Sequence, residues 1–573
     1  MKLVEKLQRN TVGADARRAN TRDVEQFLKD TWQRTSTGEH FPGEALAVVG
    51  SFSRGEGGPH SDIDVVVLLP NERQQAALTD FVQQLWDGGL GVDHSTRTAA
   101  QCVAIAKTDL PALTGLLSLR HVVGEESLSA EVAEAVNSEY RKSARTRVGE
   151  LLEDARNRWR TADRLHRLNE PDLKNSAGGL RDVDLLRALA ASWLADYDHK
   201  AVEAATETLL DARDALHLAA GRHVSQLLRP YQADVAGLLG YGGESPETDM
   251  MRELRLAAAQ VERNVRQAAS TAASTQSSWG LARRIFRPRA PRGGVLAPVG
   301  ASTVGEGLLS LDGELSFLQP RDARDVDAVL HLAVESARRS EPISEATLVD
   351  IAEAPAVGPH QWTPARLERF IQLLSAGPGL RGTWAQLDSA GWVPGWIPAW
   401  TPLRGRPQSA SFHRWTVDRH LIETVVYTNE ILTGVAPFFG GTAPTDLDPT
   451  VAYLAALLHD LGKQPPDGGV NHAVHGAQLA APFLAQLPLT ADQRETLEML
   501  IRHHLVLAEL AIDHDPSAPE TLQALLDACG ARADRLHHLA VLTVADSRGA
   551  GPKAWTPWRE ALIGELYAAA AFR

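Results

Sequence analysis

Two habits of apolar spacing divide this 573-residue chain. Residues 1 to about 40 carry Leu and Val at helical intervals among charged side chains, which predicts a lead-in helix. The spacing then shortens: Ala45 to Val49 is a compact apolar run ending at Gly50-Ser51, and Ile63 to Leu69 is a Val/Leu-rich run bounded by polar residues. Runs of that length and composition predict buried strands. Glu72 to Leu85 returns to helical spacing, and Leu90 to Ser95 predicts another strand. From Ala144 to about Ser278 the chain is rich in Ala, Leu, Arg and Glu with helical periodicity. Residues 286–410 are mixed, with a short helix predicted over Thr363 to Leu374 and Pro, Gly and Trp crowding Trp384 to Trp400. The last stretch is helical again.

The strand-forming region brings in the first candidate chemistry. At Gly50-Ser51 a flexible residue and a hydroxyl stand at the mouth of a turn able to aim backbone N–H groups at a phosphate. Asp62 and Asp64 open the next strand, and because strand side chains alternate, positions i and i+2 face the same side. Two carboxylates at the edge of an apolar strand repel each other unless a cation neutralises them, as Mg²⁺ does when it joins carboxylates to substrate phosphates. Asp93 adds a third acid on the next predicted strand; by spacing alone it serves equally well as a strand-end residue capping a loop. Further on, Pro171 to Asp182 places Lys174 and Arg181 around Gly178-Gly179. Glycines there let the backbone approach a ligand closely while the two cations hold a triphosphate. A helix–helix turn with solvated charges reads the same residues as well.

The C-terminal segment, 411–573, holds ten of the chain's 20 histidines. His420 opens an amphipathic helix, His459-Asp460 ends an apolar one, His472 follows Gly468-Gly469, His504 closes another helix and Asp546 ends the apolar stretch Ala540 to Ala545. Imidazoles and carboxylates converging from several helices make a mononuclear or dinuclear metal site with positions open to water. His475, His503, His514, His537 and His538 read as surface or packing residues.

Composition sets outer bounds. The balance of 58 basic against 72 acidic residues, −14, argues against a dedicated nucleic-acid binder. The only cysteines, Cys102 and Cys529, suggest neither a disulfide framework nor a thiolate metal site. The first residues mix acid and base and no later apolar run approaches a membrane span, so a soluble, cytoplasmic protein without a membrane partner is expected.

The run Gly-Ser-Phe-x-Arg-Gly-Glu followed by Ser-Asp-Ile-Asp resembles the nucleotidyltransferase superfamily. In particular it resembles the bifunctional uridylyltransferase/uridylyl-removing enzymes that modify the signal protein PII. His94, Ser95 and Arg97 match a His-Ser-x-Arg block of that family, and Lys174 to Asp182 its Lys-x-x-x-Gly-Gly-Leu-Arg-Asp block. The C-terminal pattern is similar to the HD phosphohydrolases. The resemblance implies His420, His459, Asp460 and Asp546 as metal ligands, His472 and His504 as ligands of a second ion, and catalysis at His459 and Asp460.

At the first centre the resemblance implies Asp62 and Asp64 on Mg²⁺, Asp93 activating the attacking hydroxyl, and Gly50, Ser51, Lys174 and Arg181 on the nucleotide. The HD centre would take a divalent ion: Mg²⁺, Mn²⁺ or iron. The expected fold is multidomain and mainly α with one α+β domain. A nucleotidyltransferase core is expected over 1–140, a helical associated domain over 141–285, a mixed linker over 286–410 and an all-α HD domain over 411–573.

The implied activity is attachment of UMP or AMP to a tyrosine of PII from UTP or ATP, and its hydrolytic removal. The order of domains, transferase first and HD last, also fits, less well, a tRNA-type nucleotidyltransferase with an HD domain. A nucleotide-sensing scaffold without activity is the remaining alternative. Family members usually carry two ACT domains after the HD domain. The chain is expected to lack them.

Overall fold

A computed structural model describes residues 11–35, 43–71, 79–87, 91–243, 245–276, 302–305, 307–311, 313–353, 362–408, 413–464 and 472–571. It divides into two compact units, Met1–Arg289 and Ala290–Arg573.

The first unit begins with helix α1 (Ala14–Thr35), whose buried Val24, Leu28 and Trp32 cover one face of a small sheet. Strands β1 (Ala45–Val49) and β2 (Ile63–Leu69) pair antiparallel. After α2 (Thr79–Asp87), β3 (Val92–Thr98) pairs parallel to β2; the remainder of the helix expected from Glu72 lies outside the described residues. Helices α3 (Ala99–Thr108) and α4 (Leu110–Leu116) lead to β4 (Arg120–Gly124), which pairs antiparallel with β1 and completes the order β3-β2-β1-β4. β2 is interior in the sheet and buried at nearly every position, which is why its residues do not alternate in polarity.

Helices α5 (Glu126–Lys142) and α6 (Ala144–Ala162) follow, then α7 (Leu180–Ala191), α8 (His199–Ala220), α9 (Arg229–Leu238) and α10 (Pro246–Gln276). One apolar core runs from Ala45, Ala47, Val66 and Leu68 through these helices to Ala268 and Ala272. The strand region and the helical region are therefore packed as one body.

The second unit opens with a three-stranded antiparallel sheet, β5 (Ser302–Val304), β6 (Leu308–Leu311) and β7 (Glu314–Phe317). Helices α11 (Val326–Arg339), α12 (Glu345–Glu353), α13 (Pro364–Leu374) and α14 (Leu380–Ser389) come next. After a short helix at Trp392–Trp396 come α15 (Val417–Leu432), α16 (Pro449–Leu458), α17 (His472–Gln486), α18 (Ala491–His503), α19 (Val506–Asp513), α20 (Pro519–Ala528), α21 (Ala533–Ala550) and α22 (Pro557–Ala571).

The segment expected as a mixed linker departs from that expectation over 302–408. Val304, Leu330, Phe370, Trp384, Trp396 and Trp400 share one core with Val425, Leu457 and Leu539 of the C-terminal helices. Its many aromatic rings, spaced without helical period, form an edge-to-face cluster with Trp384 and Trp400 centroids 5.4 Å apart. The basic run from Arg283 to Gly294 lies outside the described residues. α15 also differs from the amphipathic helix expected: Val417 and Arg419 to Val426 are all buried, so it is central to the unit.

Candidate functional sites

The first centre is a cavity of about 750 Å³ within the first unit. β1 ends by passing into a helical turn at Gly50–Ser53, and Gly50 takes φ +67°. A Cβ on Gly50 would stand 2.7 Å from Asp64 Oδ2, so only glycine both makes this turn and leaves room for the carboxylate. Asp64 is paired with Val49 on one side and with Asp93 on the parallel neighbour β3. A Cβ on Gly91 would lie 2.6 Å from Asp62 Oδ1. The backbone thus makes space twice for the same acidic pair.

Burial first, then the charges of Asp93 and Asp62, push the Asp64 carboxyl up to about 6. Three acids this close call for a cation, which is the fit expected for Mg²⁺ with phosphate oxygens. Gly50, Ser51, Asp62, Asp64, Asp93, Lys174 and Arg181 all line the cavity, as do His94, Ser95 and Arg97.

The loop carrying Lys174 holds a correction. Gly178, at φ +84°, would bring a Cβ 2.4 Å from the carbonyl oxygen of Ala258 on α10, and Gly179 would meet the carbonyl of Leu173 at 2.8 Å. The two glycines serve backbone packing within the protein, not approach to a ligand. Asp182 is fully buried and accepts hydrogen bonds from Gly178 N–H, Arg158 and Trp159 Nε1. This lock fixes the start of α7, and Lys174, Leu180 and Arg181 of the block line the cavity.

The second centre lies inside the helices of the second unit. His420 comes from the first turn of α15, His459-Asp460 follow α16, His472 begins α17, His504 caps α18, and Asp546 comes from within α21 rather than from its end. Asp460 is the hub. Its Oδ2 lies 3.5 Å from His420 Nε2 and 3.4 Å from His459 Nε2, and its Oδ1 lies 3.6 Å from His472 Nε2 and 3.4 Å from His504 Nε2. Asp546 Oδ1 is 2.9 Å from His420 Nε2 and 3.6 Å from His459 Nε2. Two metal-sized groups result, His420-His459-Asp460 and Asp460-His472-His504, sharing one carboxylate.

Backbone carbonyls set the tautomers of two rings. Ala456 O is 3.0 Å from His459 Nδ1 and Ile501 O is 2.8 Å from His504 Nδ1, so each Nδ1 donates and each Nε2 keeps a lone pair for a ligand. The Nε2 atoms of His420, His459, His472 and His504 and both Asp460 oxygens are buried without a hydrogen bond. Lys463 Nζ stands 2.6 Å from Asp460 Oδ2 as an ion pair outside hydrogen-bond geometry. Orphaned donor atoms of this kind fit divalent cations.

Burial disfavours a charged ring at His459, yet Asp460 and Asp546 outweigh it and raise the imidazole to about 10. At His472 burial prevails and lowers the ring to about 4. Gly462 makes the site compact: a Cβ there would sit 1.9 Å from the His472 carbonyl.

Residues 31–110 match the nucleotidyltransferase domain family, 146–268 the GlnD PII-uridylyltransferase family and 417–539 the HD domain family. The bifunctional uridylyltransferase/uridylyl-removing enzyme of Mycobacterium tuberculosis (strain CDC 1551 / Oshkosh) is 34% identical over 536 residues, covering 91% of this chain and 63% of that protein. Its namesake in Streptomyces coelicolor is 34% identical, covering 94% and 63%, and that of Corynebacterium glutamicum 29% identical, covering 90% and 70%. Over the matched length, the chain is similar to these uridylyltransferase/uridylyl-removing enzymes. It spans a little under two thirds of the length of the first two relatives. Nucleotidyltransferase and HD domains generally use divalent metals, in keeping with the His/Asp groups of the second unit.

The structure brings together every site residue singled out from the sequence, in two groups. It also adds residues that spacing did not single out for a role. Arg54, Glu56, Arg158, Arg187, Arg213 and His223 line the first cavity, with His223 Nδ1 3.4 Å from Asp62 Oδ2. Arg54 and Glu56 belong to the Gly-Ser-Phe-x-Arg-Gly-Glu run, whereas Arg158, Arg187, Arg213 and His223 come from other elements with no local pattern to link them. His413 stacks edge-on against His420 with ring centroids 5.6 Å apart. Its proximity in sequence to His420 was the available signal. Asn471, Gly468 and Gly469 lie outside the described residues. No helix among the described residues is long and apolar enough to cross a membrane.

Proposed function

We propose that the chain is a bifunctional enzyme that transfers a nucleoside monophosphate from UTP or ATP to a tyrosine hydroxyl of a PII-type signal protein and removes it by hydrolysis. The carrying observation is the pairing of an acidic cavity beside Gly50-Ser51 with a separate, buried histidine-aspartate centre in the second unit. Asp62 and Asp64 hold the divalent cation of the first centre, for which Mg²⁺ is the fitting ion. That ion supplies neutralisation of the carboxylates and of the phosphate charge.

Ser51 and the backbone at Gly50 seat the triphosphate, and Lys174 and Arg181 neutralise its tail. Asp93 accepts the tyrosine proton as the phenolic oxygen attacks the α-phosphorus, and the bond to pyrophosphate breaks. At the second centre His420, His459, Asp460 and Asp546 hold one ion and His472, His504 and the far oxygen of Asp460 a second. Metal bound there supplies Lewis acidity that makes water nucleophilic near neutral pH. Burial of the ligands keeps the site rigid, and the shared carboxylate fixes the separation of the two positions. Water adds to phosphorus and the tyrosine oxygen leaves.

The test is incubation with a PII protein, Mg²⁺ and either UTP or ATP, followed by intact-mass measurement. The expected result is a gain of one nucleoside monophosphate per acceptor site, reversed when the nucleotide is removed. No gain with either nucleotide would overturn the proposal, and the preferred nucleotide settles the base.

A further inference from the structure

Asp62 follows a loop that joins the Gly50–Ser53 turn to β2, and its side chain is 59% exposed. Burial therefore does not set where this carboxylate stands. The loop is seated instead. Gly58 N–H donates to Ser61 Oγ at 2.9 Å and Ser61 N–H donates back to the Gly58 carbonyl at 3.3 Å, which closes a turn one residue before Asp62. On its other side the loop rests on α8: Arg213 donates to the Glu56 carbonyl at 2.6 Å, and a Cβ on Gly58 would stand 2.3 Å from Asp214 Oδ1. Gly58 does not take a positive φ, so space and not backbone conformation calls for glycine here.

A carboxylate free to turn would swing away from such a contact. Asp214 is 2% exposed and both of its oxygens are held. Oδ1 accepts from Arg213 Nε at 2.9 Å and Nη2 at 2.6 Å, and Oδ2 accepts from Arg17 Nη1 at 2.9 Å. Arg17, at the start of α1 and itself 2% exposed, also binds Asp211 at 2.6 Å and Glu207, so three carboxylates of α8 meet one guanidinium. Burial works against its charge, yet Asp214 and Asp211 outweigh it. Apolar side chains would pin two helices as well as a buried ion cluster does. What the charges add is direction: they fix which way one oxygen of Asp214 faces the loop. Neither Arg17 nor Asp214 lines the cavity, whereas Glu56, Ser61 and Asp62 do.

We propose that Asp214, held by Arg17, is a positioning residue of the first centre: it seats the Gly58–Ser61 turn and through it places the Asp62 carboxylate for its cation. This rests on the transferase reading of the cavity and is tested by binding alone, without an acceptor protein. Whichever of UTP and ATP binds more tightly is titrated into the full chain by calorimetry over a series of Mg²⁺ concentrations, which gives the Mg²⁺ midpoint of nucleotide affinity. In Asp214→Asn and in Gly58→Ala that midpoint is expected to rise about three- to tenfold, with affinity at saturating Mg²⁺ within about twofold of the unaltered chain. Arg17→Lys, which keeps the charge and loses the fork, is expected to raise it about two- to threefold.

The midpoint separates positioning from mere stability. A loss of folded chain lowers the binding stoichiometry at every Mg²⁺ concentration and leaves the midpoint where it was. Gly58→Ala leaves no buried charge without a partner, so it carries the test if Asp214→Asn or Arg17→Lys fails to fold. An unchanged midpoint in folded Asp214→Asn or Gly58→Ala overturns the assignment. So does a loss of affinity as large at saturating as at limiting Mg²⁺, because the defect then does not lie with the cation. An unaltered chain that binds neither nucleotide at any Mg²⁺ concentration overturns the nucleotide reading of the cavity itself, a separate result.

Discussion

The two centres gather carboxylates by opposite means. In the first, Asp62 sits ahead of a strand with its side chain 59% exposed, in a cavity wide enough for a nucleotide. In the second, Asp460 and the rings of His420 and His459 are at most 1% exposed, held by helices packed on every side. An open site cannot use burial to fix its ligands, so it uses backbone: the turn at Gly50, the space at Gly91 and the strand register of Asp64 and Asp93. The closed site draws its order from side-chain burial. The charge state follows the same division. Mutual repulsion raises an acid at the first centre, whereas at the second the acids raise a histidine.

The sharpest way to break this comparison is to delete one carboxylate in each centre. Asp64→Ala should lower transfer by at least about a thousandfold, roughly 4 kcal/mol of transition-state stabilisation, and leave removal intact. Asp460→Ala should do the reverse. Equal loss of both activities in folded variants would show that the centres do not work separately. Metal counting sharpens the closed site. Asp460→Ala should lose both ions of the second centre, because its two oxygens face different groups, while His504→Ala should lose one, as read by elemental analysis after gel filtration.

Gly462→Ala tests the claim that compactness orders the closed site. The added Cβ meets a carbonyl at 1.9 Å, so a cost of about 1–3 kcal/mol in chemical denaturation and weakened metal retention are expected, with transfer unchanged.

Protons give the smallest effect and separate the centres by pH window. Because Asp64 stands at about 6, Mg²⁺ must displace a proton below that pH, and its apparent affinity there should fall about tenfold per pH unit. A raised carboxyl favours folding only while protonated. Asp64→Asn should therefore stabilise the metal-free chain by about 1–2 kcal/mol at pH 8, with less gain at pH 5, while abolishing transfer. At His459 the sign is the same and the window lies higher. Its raised pKa supports the metal-free fold fully below the ordinary histidine value, and that support fades as pH climbs through about 10. Metal uptake at the closed site should consequently release protons at pH 8, measurable by calorimetry in buffers of different ionisation enthalpy.

Particular residues show why one part of this protein was legible beforehand and another was not. Asp62 and Asp64 are two positions apart and Asp93 follows on the next strand, so strand periodicity alone brought the first pair together. His459 and Asp460 are adjacent at the end of an apolar helix, which set them apart from a packing histidine. The packing of 302–408 does not show in the sequence, because its core residues are tryptophans and short apolar groups without regular period, which pack by ring geometry instead. Gly178 and Gly179 were read toward a ligand because a glycine pair signals close approach without saying to what. The answer, the Ala258 carbonyl, lies about 80 residues downstream on α10.

The sequence by itself determined which donors exist and where local periodicity aims them: the Gly-Ser turn, the acidic pair, the histidine-aspartate pair and the helical character of most of the chain. Tertiary structure alone decided that Asp460 divides its oxygens between two groups of rings and that Glu56 joins the nucleotide turn to α7 and α8. It alone decided, too, that the carboxyls of Asp62 and Asp93 press on that of Asp64. The reason is range. Periodicity governs neighbours within a few residues, whereas Coulomb repulsion, burial and shared ligation act through space between groups that the chain brings together only when it packs.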